Sequence, residues 1–415
     1  MKSFVEYSSN SDFSIHNIPF GVAVFNKEYI GCCTRIGDQV VDLATLYDLG
    51  YFEDIDGLED NVFEAYTLNE FIELGKPVTN AVRTRIQDLL QEGSTLSKDQ
   101  KTIEEAFYDL DKVKMMMPVH VPNYTDFYSS IEHATNVGKM FRDPANALLP
   151  NWKHLPVGYH GRASSIVVSG TEINRPKGQM KPADAEKPVF GPCKQLDFEL
   201  EMAFIINKNT EMGESISTKD AEDAIFGMVV FNDWSARDIQ SWEYVPLGPF
   251  LAKNFGSSIS PWVVTLEALE PFRTASPVQD PEVLDYLKFE GDKNYDINLE
   301  VYLQPENGEQ NLICESNYKH MYWNMTQQLA HHTVNGCNVE VGDMYASGTI
   351  SGSDPKSFGS MLELTWRGQN PISLSNGEER KFINDNDTIT MKAWAEKDGV
   401  RVGFGEVSGK IIPAL

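Results

Sequence analysis

Leu196-Asp197-Phe198-Glu199-Leu200-Glu201-Met202-Ala203-Phe204 alternates apolar and acidic side chains. Phe198, Leu200, Met202 and Phe204 share one parity and Asp197, Glu199 and Glu201 the other, a pattern that predicts a half-buried strand. On such a strand Glu199 and Glu201 point the same way, about 7 Å apart along the chain. Two carboxylates that close repel each other unless a cation lies between them or water solvates both. The stretch alone leaves two readings open: an exposed acidic face, or half of an oxygen-ligand site for a hard divalent cation.

The surrounding chain narrows the setting. Its 415 residues predict two domains, and 41% hydrophobic with 11% aromatic residues is enough for a packed core. No apolar run approaches a membrane span, and Met1 to Glu6 lacks a signal-peptide core. Five cysteines, with Cys32 and Cys33 adjacent and no CxxC, read as reduced thiols of a cytoplasmic protein. A formal net charge of -26 argues against nucleic acid or an anionic membrane as partner. It also requires any anionic substrate to be held by a local cluster of positive charge.

Gly21 to Phe25 and Tyr29 to Cys33 are short β-prone runs, and Gly37-Asp38 suits a two-residue hairpin. Thr67 with Glu70 predicts a capping box, and Gly75 then Pro77 a stop. Val82, Ile86, Leu89 and Leu90 share a helical face ended by Gly93, and a polar helix is expected from about Asp99 to Asp109. Residues 1–118 thus form a small N-terminal domain of strands and helices. Residues 119–415 read as a mostly β domain with long loops. Its expected strands are Ser165–Ser169, Phe198–Ile206, Met228–Phe231, Trp262–Leu266, Ile297–Leu303, Thr388–Trp394 and Arg401–Phe404, with a helix over Met321–Ala330.

Four loop stretches hold the candidate chemistry. Tyr124 to Arg142 gathers Asp126, Tyr128, His133 and Arg142. A lone histidine is usually structural, but here an acid for a cation, a base for water and an arginine for an anion occur together. Asp233 ends an apolar strand before a helical run, where a helix N-cap and a cation ligand are equally good readings. Arg237, Gln240 and Tyr244 share a face of that helix, as convergent donors or as ordinary polar surface. Lys253, alone in apolar company, either snorkels to water or is held against an anion. The glycines of Ala346 to Ser353 match no phosphate loop. Glu363, on a strand-like run, is a possible partner for a histidine. The adjacent His331 and His332 lack metal-ligand spacing and read as capping or core polar contacts.

Long stretches, namely Tyr124 to Ser130, His133 to Gly138, Leu148 to Gly170, Asn232 to Gln240, Trp242 to Leu251 and Ser347 to Pro355, resemble the fumarylacetoacetate hydrolase family, and the likeness spans nearly the whole chain. The resemblance implies a mainly β fold: a small N-terminal Src-homology-type β-barrel with helices, then a larger mixed β-sandwich roll. It implies a homodimer that hydrolyses the carbon-carbon bond of a dicarboxylate β-diketone in tyrosine and phenylalanine catabolism. Asp126, Glu199, Glu201 and Asp233 match ligands for calcium or magnesium. Lys253 and Ser257 match magnesium-associated positions, with Ser257 standing where the family pattern has Thr. His133 matches the general base oriented by Glu363. Arg237, Gln240 and Lys253 match the oxyanion-stabilising set, and Tyr128, Arg142, Tyr159, Gln240, Tyr244 and Thr349 the substrate contacts. In the implied chemistry, water activated by His133 attacks a cation-bound diketone.

Overall fold

A computed structural model describes residues 1–27 and 29–415. Near the N-terminus Phe20–Phe25, Tyr29–Ile36 and Gln39–Asp42 form an antiparallel meander. The turn at Gly37-Asp38 uses a left-handed Gly37 (φ +56), where a Cβ would be strained. Phe107–Asp109 and Lys114–Met115 extend the meander at its two edges into a five-stranded half-barrel sheet.

Several local expectations need correcting in this part of the chain. The Thr67/Glu70 capping box does not form: the helix is Asn69–Glu73, with Leu68 at its N-cap and no side-chain cap. Leu68 is drawn fully into the core and its N–H donates to Pro118 O, which leaves Thr67 one residue too early. Gly75 ends this helix and also opens the next, Lys76–Leu90, where Pro77 lies in the first turn and no N–H is needed. The polar helix covers only Gln100–Ala106, because Phe107 onward pairs with the meander.

The larger sheet has eight strands. Its path runs Gly158–His160, Tyr124–Phe127, Met344–Ala346, Leu200–Ile206, Ile225–Asp233, Ser257–Ile259 and Ile166–Val168, and Val264–Thr265 also pairs with Ile225–Asp233. The pairs Tyr124–Phe127 with Met344–Ala346 and Ile166–Val168 with Ser257–Ile259 are parallel, so the sheet is mixed. A second sheet of five strands is ordered Asn311–Asn317, Asn298–Gln304, Thr388–Lys397, Val400–Ile412 and Ile173–Asn174.

The opening strand is buried on both faces, not one. Leu200, Met202, Phe204 and Ile206 pack with Leu299, Val301, Met391 and Phe404 of the second sheet. Ala203 and Ile205, on the parity of Glu199 and Glu201, pack with Phe20 and Phe71 of the N-terminal part. The acidic face that alternation alone would leave in water therefore runs directly under the N-terminal part. Alternation registers a change of chemistry between faces, but it cannot tell water from a second apolar layer.

Candidate active site

Sheet register brings the acids together. The strand interrupts at Phe198-Glu199 and resumes at Leu200, which lies opposite Asn232. Asp233 lies opposite Ser257, and Asp126 is abreast of Ala346. In consequence Asp126, Glu199, Glu201 and Asp233, all buried, present carboxylate oxygens within 4.8 Å of one another. Asp233 is not a helix N-cap, since the helix Arg237–Glu243 starts after Ala236 without a side-chain cap.

Two cations partly neutralise the four acids. Lys253 Nζ bonds Glu199 Oε2 and also donates to Asp233 Oδ2 at 2.7 Å. Arg237 Nη1 reaches Glu199 Oε1 at 2.8 Å and Gln240 Oε1 at 3.2 Å. Asp233 Oδ1 accepts from Ser257 Oγ at 2.8 Å, and its Oδ2 from Tyr159 OH at 3.2 Å. Glu201 Oε2 accepts the Gly348 N–H at 2.9 Å. Gly348 itself is left-handed (φ +76), and a Cβ there would meet Phe127 O at 2.3 Å.

Charge is unevenly shared across the cluster. Burial, then the neighbouring carboxylates, push Asp126 and Glu201 well above the usual carboxylate range. Burial also outweighs Lys253 at Asp233, which is raised. At Glu199 burial is overcome by Lys253 and Arg237 together, and the group falls below its ordinary range. Among the described residues, Asp126 Oδ1 and Glu201 Oε1 are buried with no hydrogen-bond partner. Orphaned acceptors of this kind are costly, and a hard cation is the partner an oxygen-only set of this charge satisfies best.

Beside the acids stands a histidine of fixed orientation. His133 lies in the first turn of the helix Ile131–Phe141, whose N-cap Ser130 accepts the His133 N–H at 3.2 Å. Its Nδ1 is 2.6 Å from Glu363 Oε2. Glu363 also accepts from Asn136 at 2.9 Å, Ser351 at 2.9 Å and Ser360 at 3.0 Å. Burial would raise this carboxyl, but His133 and these donors bring it below its ordinary value. An ionised Glu363 can only accept, so the imidazole proton resides on Nδ1 and Nε2 keeps its lone pair. The expectation of a strand at Glu363 is corrected: it sits on the short helix Met361–Leu364, capped by Ser360. Ser360-Met361-Leu362-Glu363 is a capping-box pattern that could have signalled this.

The remaining residues divide by position. Tyr128 meets the His133 ring edge-on at 5.2 Å, and Thr349 Oγ1 is buried without a partner among the described residues. Gln240 is half-buried beside Arg237. By contrast, Arg142 is exposed with its guanidinium on the Ala147 carbonyl (2.7 and 3.2 Å), and Tyr244 is half exposed. Neither bonds the acids or His133 among the described residues. His331 and His332 bond Tyr286 and Tyr345, each at 3.0 Å, as core polar contacts. Residues without an assignment from sequence also enter the site: Asp197, Asn136, Ser351, Ser360 and Gly348.

Comparison with known proteins places this constellation in context. Residues 123–412 match the family model described as fumarylacetoacetate (FAA) hydrolase C-terminal, and residues 16–118 the one described as fumarylacetoacetase N-terminal. The chain is 51% identical to the fumarylacetoacetase of Homo sapiens, covering 100% of this chain and 99% of that protein. It is 52% identical to that of Dictyostelium discoideum, covering 100% and 98%. A solved fumarylacetoacetate hydrolase from the psychrophilic Exiguobacterium antarcticum shares the fold at a TM-score of 0.53 and 18% identity, covering 95% of this chain and 99% of that one.

Proposed function

This chain belongs to the fumarylacetoacetate hydrolase family, and on that premise we propose that it hydrolyses the carbon-carbon bond of 4-fumarylacetoacetate to fumarate and acetoacetate. The observation that carries the reading is the juxtaposition of a buried four-carboxylate cluster with a histidine whose free nitrogen is fixed by a buried acid. A purely structural cation site would need the first and not the second.

Asp126, Glu199, Glu201 and Asp233 would hold the divalent cation, calcium or magnesium, which when bound supplies Lewis-acid stabilisation of negative charge on the substrate oxygens. Ser257 serves this set through Asp233, to which its hydroxyl donates. The Lys253 ammonium, raised despite burial by Asp233 and Glu199, stays charged and has no lone pair to offer a metal. Were Lys253 to contact the cation, its main-chain carbonyl would have to be the donor, an oxygen as hard cations prefer. His133 Nε2 takes a proton from water, and the oxygen attacks the carbonyl carbon of the fumaroyl group. Arg237, Gln240 and Lys253 stabilise the resulting alkoxide. When the carbon-carbon bond breaks, its electron pair leaves with the acetoacetate fragment as an enolate. The proton held by His133 completes that product. Arg142 and Tyr128, Tyr159, Tyr244 and Thr349 are assigned to the substrate's carboxylates and oxygens, with Arg142 and Tyr244 moving inward from the exposed positions they hold here.

We further place the protein in the cytoplasm as a homodimer working in tyrosine and phenylalanine breakdown. Five unpaired cysteines suit a reducing compartment. The exposed apolar run Val245, Leu247 and Phe250 gives a second copy a surface to cover. The chain divides, on this reading, at residue 118 into the two domains.

The test is to mix purified protein with fumarylacetoacetate and follow fumarate, with acylpyruvates as comparison and with a chelator arm. Fumarate release that stops on chelation and returns with calcium or magnesium is expected. Preference for acylpyruvates, or turnover indifferent to chelation, would overturn the reading.

A further inference from the structure

Asp197 is the one acid of the opening stretch to which the reaction assigns no task, yet it is fully buried and its bonds reach two separate parts of the site. Its Oδ2 accepts from Arg237 Nε at 2.8 Å and from the Leu362 N–H at 3.0 Å, and its Oδ1 from the Met361 N–H at 2.6 Å. Met361 and Leu362 open the short helix that carries Glu363. The backbone of Asp197 is itself anchored: Leu196–Asp197 pairs with Ser235–Ala236, and Leu196 O accepts the Ile383 N–H at 2.9 Å.

The donors of Arg237 show what this achieves. Nε is spent on Asp197, and Nη1 on Glu199 and Gln240. Nη2 is buried and has no partner among the described residues. With Nε and Nη1 both tied, the guanidinium plane cannot turn, and Nη2 is kept as a free donor. Without Asp197 the guanidinium would rotate into a bidentate pair with Glu199, the geometry carboxylates favour, and the free donor would be lost.

We propose that Asp197 is a positioning residue that holds the Arg237 guanidinium with Nη2 unspent and fixes the Glu363 helix relative to it. One carboxylate then sets the distance between the group that stabilises the alkoxide and the group that orients the base. Misplacement of such groups by a fraction of an ångström lowers turnover more than binding.

The inference rests on the proposed reaction, and the experiment separates the two. Unmodified protein, Asp197→Asn, Arg237→Gln and the double variant are compared at saturating cation. Asp197→Asn is expected to lower kcat by about 10–100-fold with KM within about 3-fold. In the double variant, where neither charge remains, kcat should lie less than about 10-fold below that of Arg237→Gln alone, because the guanidinium that Asp197 holds is already gone and only its hold on the Glu363 helix is left to lose. A carboxylate that only stabilised the fold would not depend on Arg237 in this way. Costs that multiply in the double variant, or an Asp197→Asn protein with kcat within about 3-fold of the unmodified one, would overturn the proposal. Should Asp197→Asn fail to fold, the double variant against Arg237→Gln decides alone. No turnover in unmodified protein would instead overturn the functional reading.

Discussion

In the proposed reaction His133 acts through the ring nitrogen left free, and which nitrogen that is follows from the bond to Glu363, 230 residues away in the chain. Asparagine at position 133 would keep an N–H near the place of Nδ1 for Glu363 and lose the basic Nε2. His133→Asn is therefore expected to fold, to bind its cation and to lose about 10²–10⁴-fold in kcat, the usual worth of a general base. Circular dichroism, metal content and steady-state kinetics on one preparation check this, and turnover within tenfold of the unmodified protein would remove His133 from the role. Local pattern left Glu199 and Glu201 between an exposed acidic face and a cation site, and Asp233 between a helix N-cap and a ligand; the family resemblance joined them with Asp126 as one set. Neither could assign Asp197. That residue's partners, Arg237 and the N–H groups of Met361 and Leu362, are 40 to 165 positions away, and nothing local marks a main-chain donor as aimed at a distant carboxylate.

Elements were legible where a period persisted. Val82, Ile86, Leu89 and Leu90 lie on one buried helical face, as their spacing required. Glu363 misled because four residues are too few for a helical period to show against alternation. The helix expected over Met321–Ala330 begins later, at Met325, where Asn324 and Gln327 complete a capping box, and it runs to Thr333. That shift carries His332 into the last turn, between Tyr345 and Thr125 of two neighbouring strands. Burial, then His160 and His331, lowers its pKa to about 4. A depressed imidazole contributes stability that is complete above the unfolded pKa near 6.5 and is lost as pH falls toward 4, because the unfolded chain then binds a proton that the native helix refuses. Discounted for partial solvent access, the effect is on the order of 1–2 kcal/mol. His332→Gln cannot take up that proton, so its urea midpoint should fall less than that of the unmodified protein between pH 7 and pH 4.5. Parallel slopes in the two proteins would show that His332 does not titrate in this window.

For the whole molecule, the face of the large sheet that carries Glu199 and Glu201 continues as Ala203 and Ile205 beneath the N-terminal part. One core cluster joins Phe20, Phe63 and Phe71 to Phe226, Val229 and Phe231. Phe71 is fully buried, with its ring 4.9 Å from Phe20 and edge-on to Phe226 at 6.1 Å. Phe20 and Val263 exchange two main-chain hydrogen bonds, Phe20 N to Val263 O at 2.9 Å and the return at 2.7 Å. Composition proposed a division near residue 118, and it could not reveal that the two sides share a core, because apolar residues look alike whichever layer they face. A shared core makes unfolding of one side expose apolar surface of the other, which predicts a single cooperative transition. Phe71→Ala should cost about 3–5 kcal/mol through the lost contacts and the cavity left behind. All seven tryptophans lie beyond residue 118, but Trp262 packs on Phe13 and Gly21 of the N-terminal part, so it is in a Trp262→Phe background that tryptophan fluorescence reports on the C-terminal side. Under urea the fluorescence transition of Phe71→Ala should move as a whole to lower denaturant, although the substitution is in the N-terminal part. A fluorescence transition that stays in place, or splits into two phases, would mean that the N-terminal part melts independently and that the sheet beneath Glu199 and Glu201 stands without its cover.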